Sequence, residues 1–289
     1  MPQVPSFQAL SPLEYFALLV ADDEHFSLLE AAISIGQDED PALDTQAVLH
    51  QIDTLAQRLK VRVPADAGPR QRLRQLNQFF FRELGFAGNV NDYYDPANSL
   101  LARVMETRRG IPITLALLYI ELATQIGLTA RGVSFPGHFL VKLKLSEGEV
   151  VLDPFTGQSL SRERLDELLL PYRRNQGLVG DLDLPLGVFL QAAAPRDVLA
   201  RMLRNLKEIH RSSGDWPRLV AVLNRLVVLL PQAWEERRDR GLAHAELGAA
   251  QAAALDLTEY LAHCPQAPDR DAIGQRLMAL RQRGSDTLH

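Results

Sequence analysis

Cysteine is almost absent from this sequence of 289 residues, which contains only Cys264. A single thiol excludes an intramolecular disulfide, and it also excludes the paired CxxC motifs of zinc and dithiol redox sites. Such sparing use of cysteine fits a reducing compartment. The seven histidines include no His-x-x-x-His pair of the kind that binds zinc on a helix, and there is no glycine-rich phosphate loop. We therefore expect neither a metal nor a cofactor.

Long apolar runs and an excess of basic residues are missing as well. No stretch approaches the ~18 consecutive apolar residues of a membrane span, and the first residues lack the basic and apolar regions of a signal peptide. We therefore expect a cytoplasmic protein without membrane contacts. The net charge is -5, whereas nucleic-acid-binding proteins usually carry a basic excess. Local basic stretches such as "PRQRLRQL" at 69–76 suit either a nucleic-acid surface or a solvated helix face, and the overall charge favours the second.

What the sequence does have is helical periodicity in its first 108 residues. The stretch "SPLEYFALLV" places Ser11 as the N-cap, Pro12 at the first helical position and Glu14 where a capping box requires it. Further amphipathic helices are predicted at 45–59 and 70–84, the second ending before Gly85. Residues 1–108 are therefore predicted to be a helical N-terminal region packed on the core.

Residues 109–190 have a different pattern, which predicts an α+β core. The stretch "IPITLALLYIELATQIG" is apolar on nearly every face, as a fully buried helix beginning at Pro112 would be. Three β-prone runs follow, "TARGVSF", "HFLVKLKL" and "EVVLDPF", separated by turn residues. They predict a small antiparallel sheet, after which a helix capped by Ser161 precedes the linker candidate "NQGLVGDLDLPLG". The fold class is thus α+β and mostly helical.

The last part of the chain, 195–289, contains an internal repeat. A shift of 34 residues places Gly214 on Gly248, and it places "PQA" at 231–233 on the same letters at 265–267. A 34-residue period of helix pairs is the signature of tetratricopeptide repeats. Lys207 departs from the pattern because the small Gly241 occupies the corresponding position in the next unit. The final helix, "DAIGQRLMALRQR", is either a cap for the repeats or part of a pair that docks on the preceding domain.

The segment from "RRGIP" to "VVLDPF" resembles the transglutaminase-like (papain-like) core. In that family a cysteine begins a buried helix, a histidine opens a following strand and an aspartate ends the next. His138 and Asp153 match the histidine and the aspartate, and counting back from Gly127 places the cysteine position at Pro112. The resemblance implies a histidine–aspartate pair without a conventional nucleophile, because proline has no nucleophilic atom.

Three other side chains are candidates to replace the missing thiol. Cys264 belongs to the repeats, where a small buried cysteine is common. Thr114 and Ser134 carry hydroxyls, but such residues more often cap helices or bond locally. A simple turn on Glu147-Gly148 would place Asp153 across from Lys142, so a contact between His138 and Asp153 requires a longer or slipped turn. We expect that contact, with a structural or ligand-binding purpose.

A more specific resemblance covers about residues 10–270. The stretches "NDYYDP", "RRGIP" and "FPGHF", followed by the 34-residue repeats, are similar to the bacterial SirB-type family. The same core occurs in certain eukaryotic F-box proteins. The family pattern itself reads Gly-Ile-Pro at 110–112, so the loss of the cysteine belongs to the whole branch. The resemblance implies a link to regulation of bacterial gene expression.

Two functions remain open at this point. The first is a non-catalytic protein-interaction or regulatory module that binds a protein or peptide partner through its cleft and its repeats. The second is a hydrolase or acyltransferase that uses an unconventional nucleophile or a water activated by His138. Pro112 favours the first, because removal of a nucleophile that acts together with its base costs on the order of 10⁶ in rate.

Overall fold

The computed structural model describes residues 10–22, 26–177 and 184–286. The chain divides into two compact units. One contains the described parts of 1–27, 37–42 and 203–289, and the other contains those of 28–36 and 43–202. Residues 178–183 of the linker predicted at "NQGLVGDLDLPLG" lie outside the described residues. The domain boundaries drawn from the sequence stay a prediction.

The elements confirm an α+β protein that is mostly helical. In chain order the helices are α1 (Pro12–Leu19), α2 (Leu28–Ser34), α3 (Thr45–Lys60), α4 (Pro69–Asn77), α5 (Leu101–Thr107), α6 (Pro112–Gln125), α7 (Arg162–Asn175), α8 (Leu186–Phe189), α9 (Pro195–Ser213), α10 (Trp216–Leu229), α11 (Trp234–Glu246), α12 (Ala250–His263) and α13 (Arg270–Asp286). The strands are β1 (Ala87–Gly88), β2 (Arg109–Gly110), β3 (Thr129–Val133), β4 (Leu140–Leu145), β5 (Gly148–Asp153) and β6 (Gln158–Leu160). None of the helices within these ranges is both long and apolar enough to cross a bilayer.

The core of the unit containing 43–202 is a helix against a sheet. As predicted, α6 begins at Pro112, and most of its side chains are buried. It packs on β3 and β4 of an antiparallel sheet with the strand order β3-β4-β5-β6. The sequence predicted three of these strands and missed the short β6. Gly127 follows α6 with a φ of 78°, a conformation that suits glycine at the end of a helix.

The turn between β4 and β5 differs from the predicted one. Leu145 pairs with Gly148, so Ser146 and Glu147 form a two-residue turn. The turn on Glu147-Gly148 was therefore wrong by one position, and the pairing shifts by two residues. A shift of two leaves every side chain on its own face of the sheet. It places Asp153 opposite Leu140, and not opposite Lys142.

The helix predicted at 70–84 contains an irregular second half. It begins as α4 and continues as a π-helix over Gln78–Glu83. The Leu84 N–H donates to the carbonyl of Phe79 over 2.9 Å, five residues back. Such wide turns are rare and are often found at functional sites. Gly85 follows with a φ of 73°, as the predicted stop requires.

The unit that contains the described part of 203–289 holds the repeat helices together with α1. The predicted capping box is present, since Ser11 and Glu14 bond each other's backbone N–H groups. Gly214 and Gly248 precede α10 and α12 with φ values of 69° and 75°, which confirms the equivalence found by the 34-residue shift. Helix α13 packs on α12 around Leu257 and Tyr260, so the last helix covers the end of the stack.

Lys207 departs from the repeat pattern for an electrostatic reason. Its ammonium group lies 2.6 Å from a carboxylate oxygen of Glu236 and 2.6 Å from one of Asp239. All three side chains are at least nine-tenths buried. The buried ammonium group of Lys207 and its two carboxylates therefore lie between α9 and α11, where a small residue would allow a close contact between the helices. Burial alone raises the pKa of Asp239, and Lys207 and Arg238 outweigh it and lower that pKa.

The N-terminal segment is bound to α10 by a buried arginine. The Arg225 side chain is fully buried, and it donates to both carboxylate oxygens of Asp38 over 2.6 and 2.8 Å. Its guanidinium carbon also lies 4.9 Å from the ring centroid of the buried Phe16. Bidentate pairing and contact with an aromatic ring are what a buried arginine requires.

Candidate functional site

His138 and Asp153 lie in contact. The imidazole Nε2 of His138 is 2.9 Å from the Asp153 Oδ1. His138 follows Pro136-Gly137 in the turn before β4, where its N–H donates to the Phe135 carbonyl, so it precedes the strand and does not open it. The contact forms because the two-residue turn brings the end of β5 toward this loop.

Asp153 is held in its ionised form by several donors. Its Oδ1 accepts from the Phe155 N–H over 2.8 Å, and its Oδ2 accepts from the Thr156 hydroxyl over 2.9 Å. Burial by itself raises the pKa of Asp153, but the hydrogen bond and charge of His138 and these two donors outweigh it and lower that pKa. The turn over 153–157 therefore presents a fixed carboxylate to the imidazole.

This arrangement predicts how stability depends on pH. Because the folded pKa of Asp153 lies below its unfolded value of about 3.9, its charge stabilises the fold above that value, and the contribution is lost as the pH falls through the folded pKa. We expect Asp153→Asn to cost about 1–2 kcal/mol at pH 5 and less at pH 3. Urea unfolding of both proteins at the two pH values measures this difference, and an equal loss at both would contradict the role of the charge.

The other ring nitrogen of His138 is available for a ligand. When Nε2 donates to Asp153, the neutral ring carries its lone pair on Nδ1. No hydrogen bond to Nδ1 occurs within the described residues, and the side chain is 24% exposed. The Nδ1 of His138 can therefore accept a hydrogen bond from a bound donor.

Pro112 and Thr114 lie in the first turn of α6. Pro112 is buried at the first helical position. The Thr114 hydroxyl is also buried, 2.8 Å from the Asn98 carbonyl oxygen and 3.0 Å from that of Ile111. Its proton is therefore used by backbone carbonyls, and the contact with Ile111 is the local bonding expected of such a residue.

Ser134 and Cys264 are also engaged elsewhere. The Ser134 hydroxyl accepts from the Arg201 guanidinium over 2.8 Å. Cys264 is the C-cap of α12, in the repeat unit. Partial burial, Glu235 and Asp269 raise the pKa of its thiol, whereas a nucleophilic cysteine needs a lowered pKa.

The aromatic loop beside this site was not predicted, although "NDYYDP" is one of the three stretches that carry the family resemblance. The amide of the buried Asn98 donates to the carbonyls of Asp92 and Tyr93 over 2.6 and 3.3 Å. This holds the partly exposed Tyr93 ring 5.9 Å from the ring of Phe155. The feature of the sequence that could have indicated this loop is the pair of adjacent tyrosines within a predicted turn. The loop places an aromatic surface next to the turn that carries Asp153.

No group of three or more His, Cys, Asp or Glu side chains in the described ranges is arranged to hold a metal ion. The chemistry of the site is that of an imidazole–carboxylate pair with aromatic neighbours. Such a pair acts as a general base only when a nucleophile that can give up a proton lies within hydrogen-bond reach of the imidazole. The hydroxyls of Thr114 and Ser134 are bonded to other groups.

Comparison with known proteins agrees with both parts of the architecture. Residues 46–204 match the transglutaminase-like superfamily, and residues 206–278 match the tetratricopeptide repeat. A UPF0162 protein of Xylella fastidiosa (strain 9a5c) is 38% identical, over 94% of this chain and 96% of its own. A UPF0162 protein of Pseudomonas aeruginosa is 30% identical, over 91% of this chain and 94% of its own. The chain therefore belongs to the transglutaminase-like superfamily and, with its tetratricopeptide repeats, to the UPF0162 proteins.

Proposed function

We propose that this protein is a protein-binding module in which a transglutaminase-like domain without its nucleophile is combined with tetratricopeptide repeats. The observation that carries the proposal is Pro112 at the first turn of α6. In the related enzymes this helix start activates a thiol through its unpaired N–H groups and its dipole. A proline at this position allows the helix to begin in the same place, but it has no atom that can act as a nucleophile.

The remaining groups suit binding. The His138 Nδ1 can accept a hydrogen bond from a peptide N–H, and Tyr93 and Phe155 offer aromatic surface beside it. Repeat helices of the tetratricopeptide type commonly provide grooves for a segment of a partner protein. We also propose the finer assignments that the resemblance implies: a SirB-type protein of the bacterial cytoplasm with a regulatory role, and no function in binding nucleic acid or membranes.

A hydrolase or acyltransferase is the second candidate, because the imidazole–carboxylate contact is intact and His138 is partly exposed. In that function His138 would activate a water molecule, and Asp153 would orient the ring.

An activity assay separates the two candidates. We expect no amidase or transamidase turnover by the purified protein, and an electrophilic cysteine probe should label at most Cys264. Replacing His138 by alanine should therefore change no rate, while circular dichroism confirms that the variant is folded. A measurable turnover that disappears in His138→Ala would contradict the proposal and favour the enzyme.

Partner binding through the repeats is best tested with a point variant, because a truncation would disturb the packing of the N-terminal segment. Removing the chain from about residue 195 would leave Phe16 and Asp38 without the α10 side chain that contacts both. Leu255 on α12 is 63% exposed, and Val61 in the other unit is 89% exposed. We expect Leu255→Lys to reduce capture of a partner from a bacterial lysate, and Val61→Lys to leave it unchanged. Loss of the partner in Val61→Lys alone would contradict docking on the repeats.

A further inference from the structure

A concave surface lies against the turn over 153–157. It is an open pocket of about 530 Å³ between the π-helix and the turn over 153–157. Arg74, Asn77, Phe81 and Arg82 line it from the helical side, and Phe155 and Gly157 line it from the turn. Its volume lies within the usual range of ligand sites, about 300–1,000 Å³.

Two arginine side chains give the pocket a positive charge, and neither is paired within the described part of the chain. Neighbouring arginines have structural partners: Arg62 pairs with Glu83, and Arg72 donates to the carbonyls of Ala67 and Ile126. The side chains of Arg74 and Arg82 are exposed, and they make no hydrogen bond or ion pair within the described residues. No aspartate or glutamate lines the pocket. Two guanidinium groups are therefore available to carboxylates, for which their geometry is suited.

The side-chain amide of Asn77 gives the pocket a further hydrogen-bond donor. The Asn77 Oδ1 accepts from the Tyr119 hydroxyl over 2.6 Å, so the amide nitrogen of Asn77 is the group left for a ligand. That nitrogen makes no hydrogen bond to the described part of the chain. The Tyr119 ring is buried, and its centroid lies 5.6 Å from that of Phe81, which lines the pocket.

The walls are aromatic and closely fitted. A Cβ at Gly157, where φ is 74°, would lie 3.1 Å from the Phe81 ring, and a Cβ at Gly88 would lie 2.3 Å from the Phe155 ring. The two phenylalanines are thus fixed against backbone. Aromatic walls beside cationic groups favour a ligand that has both apolar and acidic parts.

We propose that this pocket binds an acidic peptide segment of a partner protein, with carboxylates on Arg74 and Arg82 and an apolar side chain between Phe81 and Phe155. The inference rests on the proposed protein-binding function and adds the chemical class of the ligand. A peptide fits better than a free anion because three phenylalanines, Phe81, Phe86 and Phe155, line the pocket beside the arginines. It also fits better than a nucleic acid, because the chain has a net charge of -5 and two unpaired arginines make a small electrostatic footprint.

The test uses the whole protein and a labelled probe peptide, Glu-Phe-Glu-Phe, followed by fluorescence anisotropy. We expect Arg74→Glu/Arg82→Glu to weaken binding about tenfold, and Arg74→Gln/Arg82→Gln to weaken it less. The matched control is Arg103→Glu/Arg164→Glu, which changes the net charge equally at two exposed arginines outside the pocket and should bind as the wild type does. A Gln-Phe-Gln-Phe probe should bind about tenfold more weakly than the acidic one.

A photoreactive benzophenone in place of one probe phenylalanine locates the site. Crosslinks at Phe81 or in the turn over 153–157 support the proposal. Equal binding by the two glutamate double variants, or crosslinks confined to other surfaces, would overturn it. So would displacement of the probe by inorganic phosphate or by a single-stranded oligonucleotide at concentrations lower than the unlabelled peptide requires. Each of these failures leaves the comparison of Leu255→Lys with Val61→Lys intact, so the pocket and the binding function are judged separately.

Discussion

Replacing Asp38 by alanine should destabilise the repeat unit by about 3–5 kcal/mol. The substitution leaves Arg225 charged and fully buried, with the Phe16 ring near its guanidinium group and no carboxylate of Asp38 to pair with. Breaking a buried ion pair from one side costs far more than the pair contributes, because the remaining charge keeps its desolvation penalty. Urea unfolding followed by circular dichroism measures the loss.

Glu39 provides a control one residue away. It pairs with Arg218, whose side chain is 53% exposed, over 2.7 Å. An exposed pair of this kind contributes about 1 kcal/mol or less, so Glu39→Ala should have a small effect. Asp38→Ala combined with Arg225→Met should recover much of the loss, since an apolar side chain carries no desolvation penalty. Equal effects of the two alanine variants would show that burial of Arg225 does not govern the result.

Replacing Gly241 by alanine should cost about 1–3 kcal/mol through overpacking. A Cβ at this position would lie 2.9 Å from a methyl carbon of Leu257 and 3.1 Å from the Cβ of Asp256. Helix α12 would have to move away from α11. That movement would also strain the bidentate pair of Arg240 with the buried Asp256, whose bonds measure 2.6 and 2.7 Å.

Gly274 is the matched control, because it also lies within a helix. A Cβ there meets nothing within 4 Å, so alanine should stabilise α13 by about 0.5–1 kcal/mol through its higher helix propensity. The two substitutions are chemically identical and should have opposite signs in thermal or urea unfolding. A stabilising Gly241→Ala would mean that the repeat helices are not in close contact at this point.

Periodicity and end signals were enough to predict the helices. The all-apolar run beginning at Pro112 indicated a buried helix, and the 34-residue shift indicated the repeat, because both are local patterns. The exact strand pairing was not predictable in this way. A one-position error in the turn at 146–147 was enough to place Asp153 opposite the wrong residue, although its side chain remained on the correct face.

The features that sequence analysis missed are those that depend on distant contacts. Nothing near Asp38 indicates that its partner lies 187 positions later. The pocket was also missed, since a basic helix face looks the same whether or not a π-helix and a turn enclose it. The stretch at 69–76 was interpreted as a solvated face, and one of its arginines lines the pocket.

The Asp38–Arg225 contact has a consequence for biosynthesis. At ribosomal rates of about 5–20 residues per second, the partner of Asp38 emerges roughly 10–40 seconds after it. Throughout that interval the apolar face of α1 has no α10 to cover it, so the repeat unit matures only after translation of α10. Folding of this unit is therefore coupled to synthesis of α10, and premature termination before α10 should yield an N-terminal segment prone to chaperone capture or proteolysis.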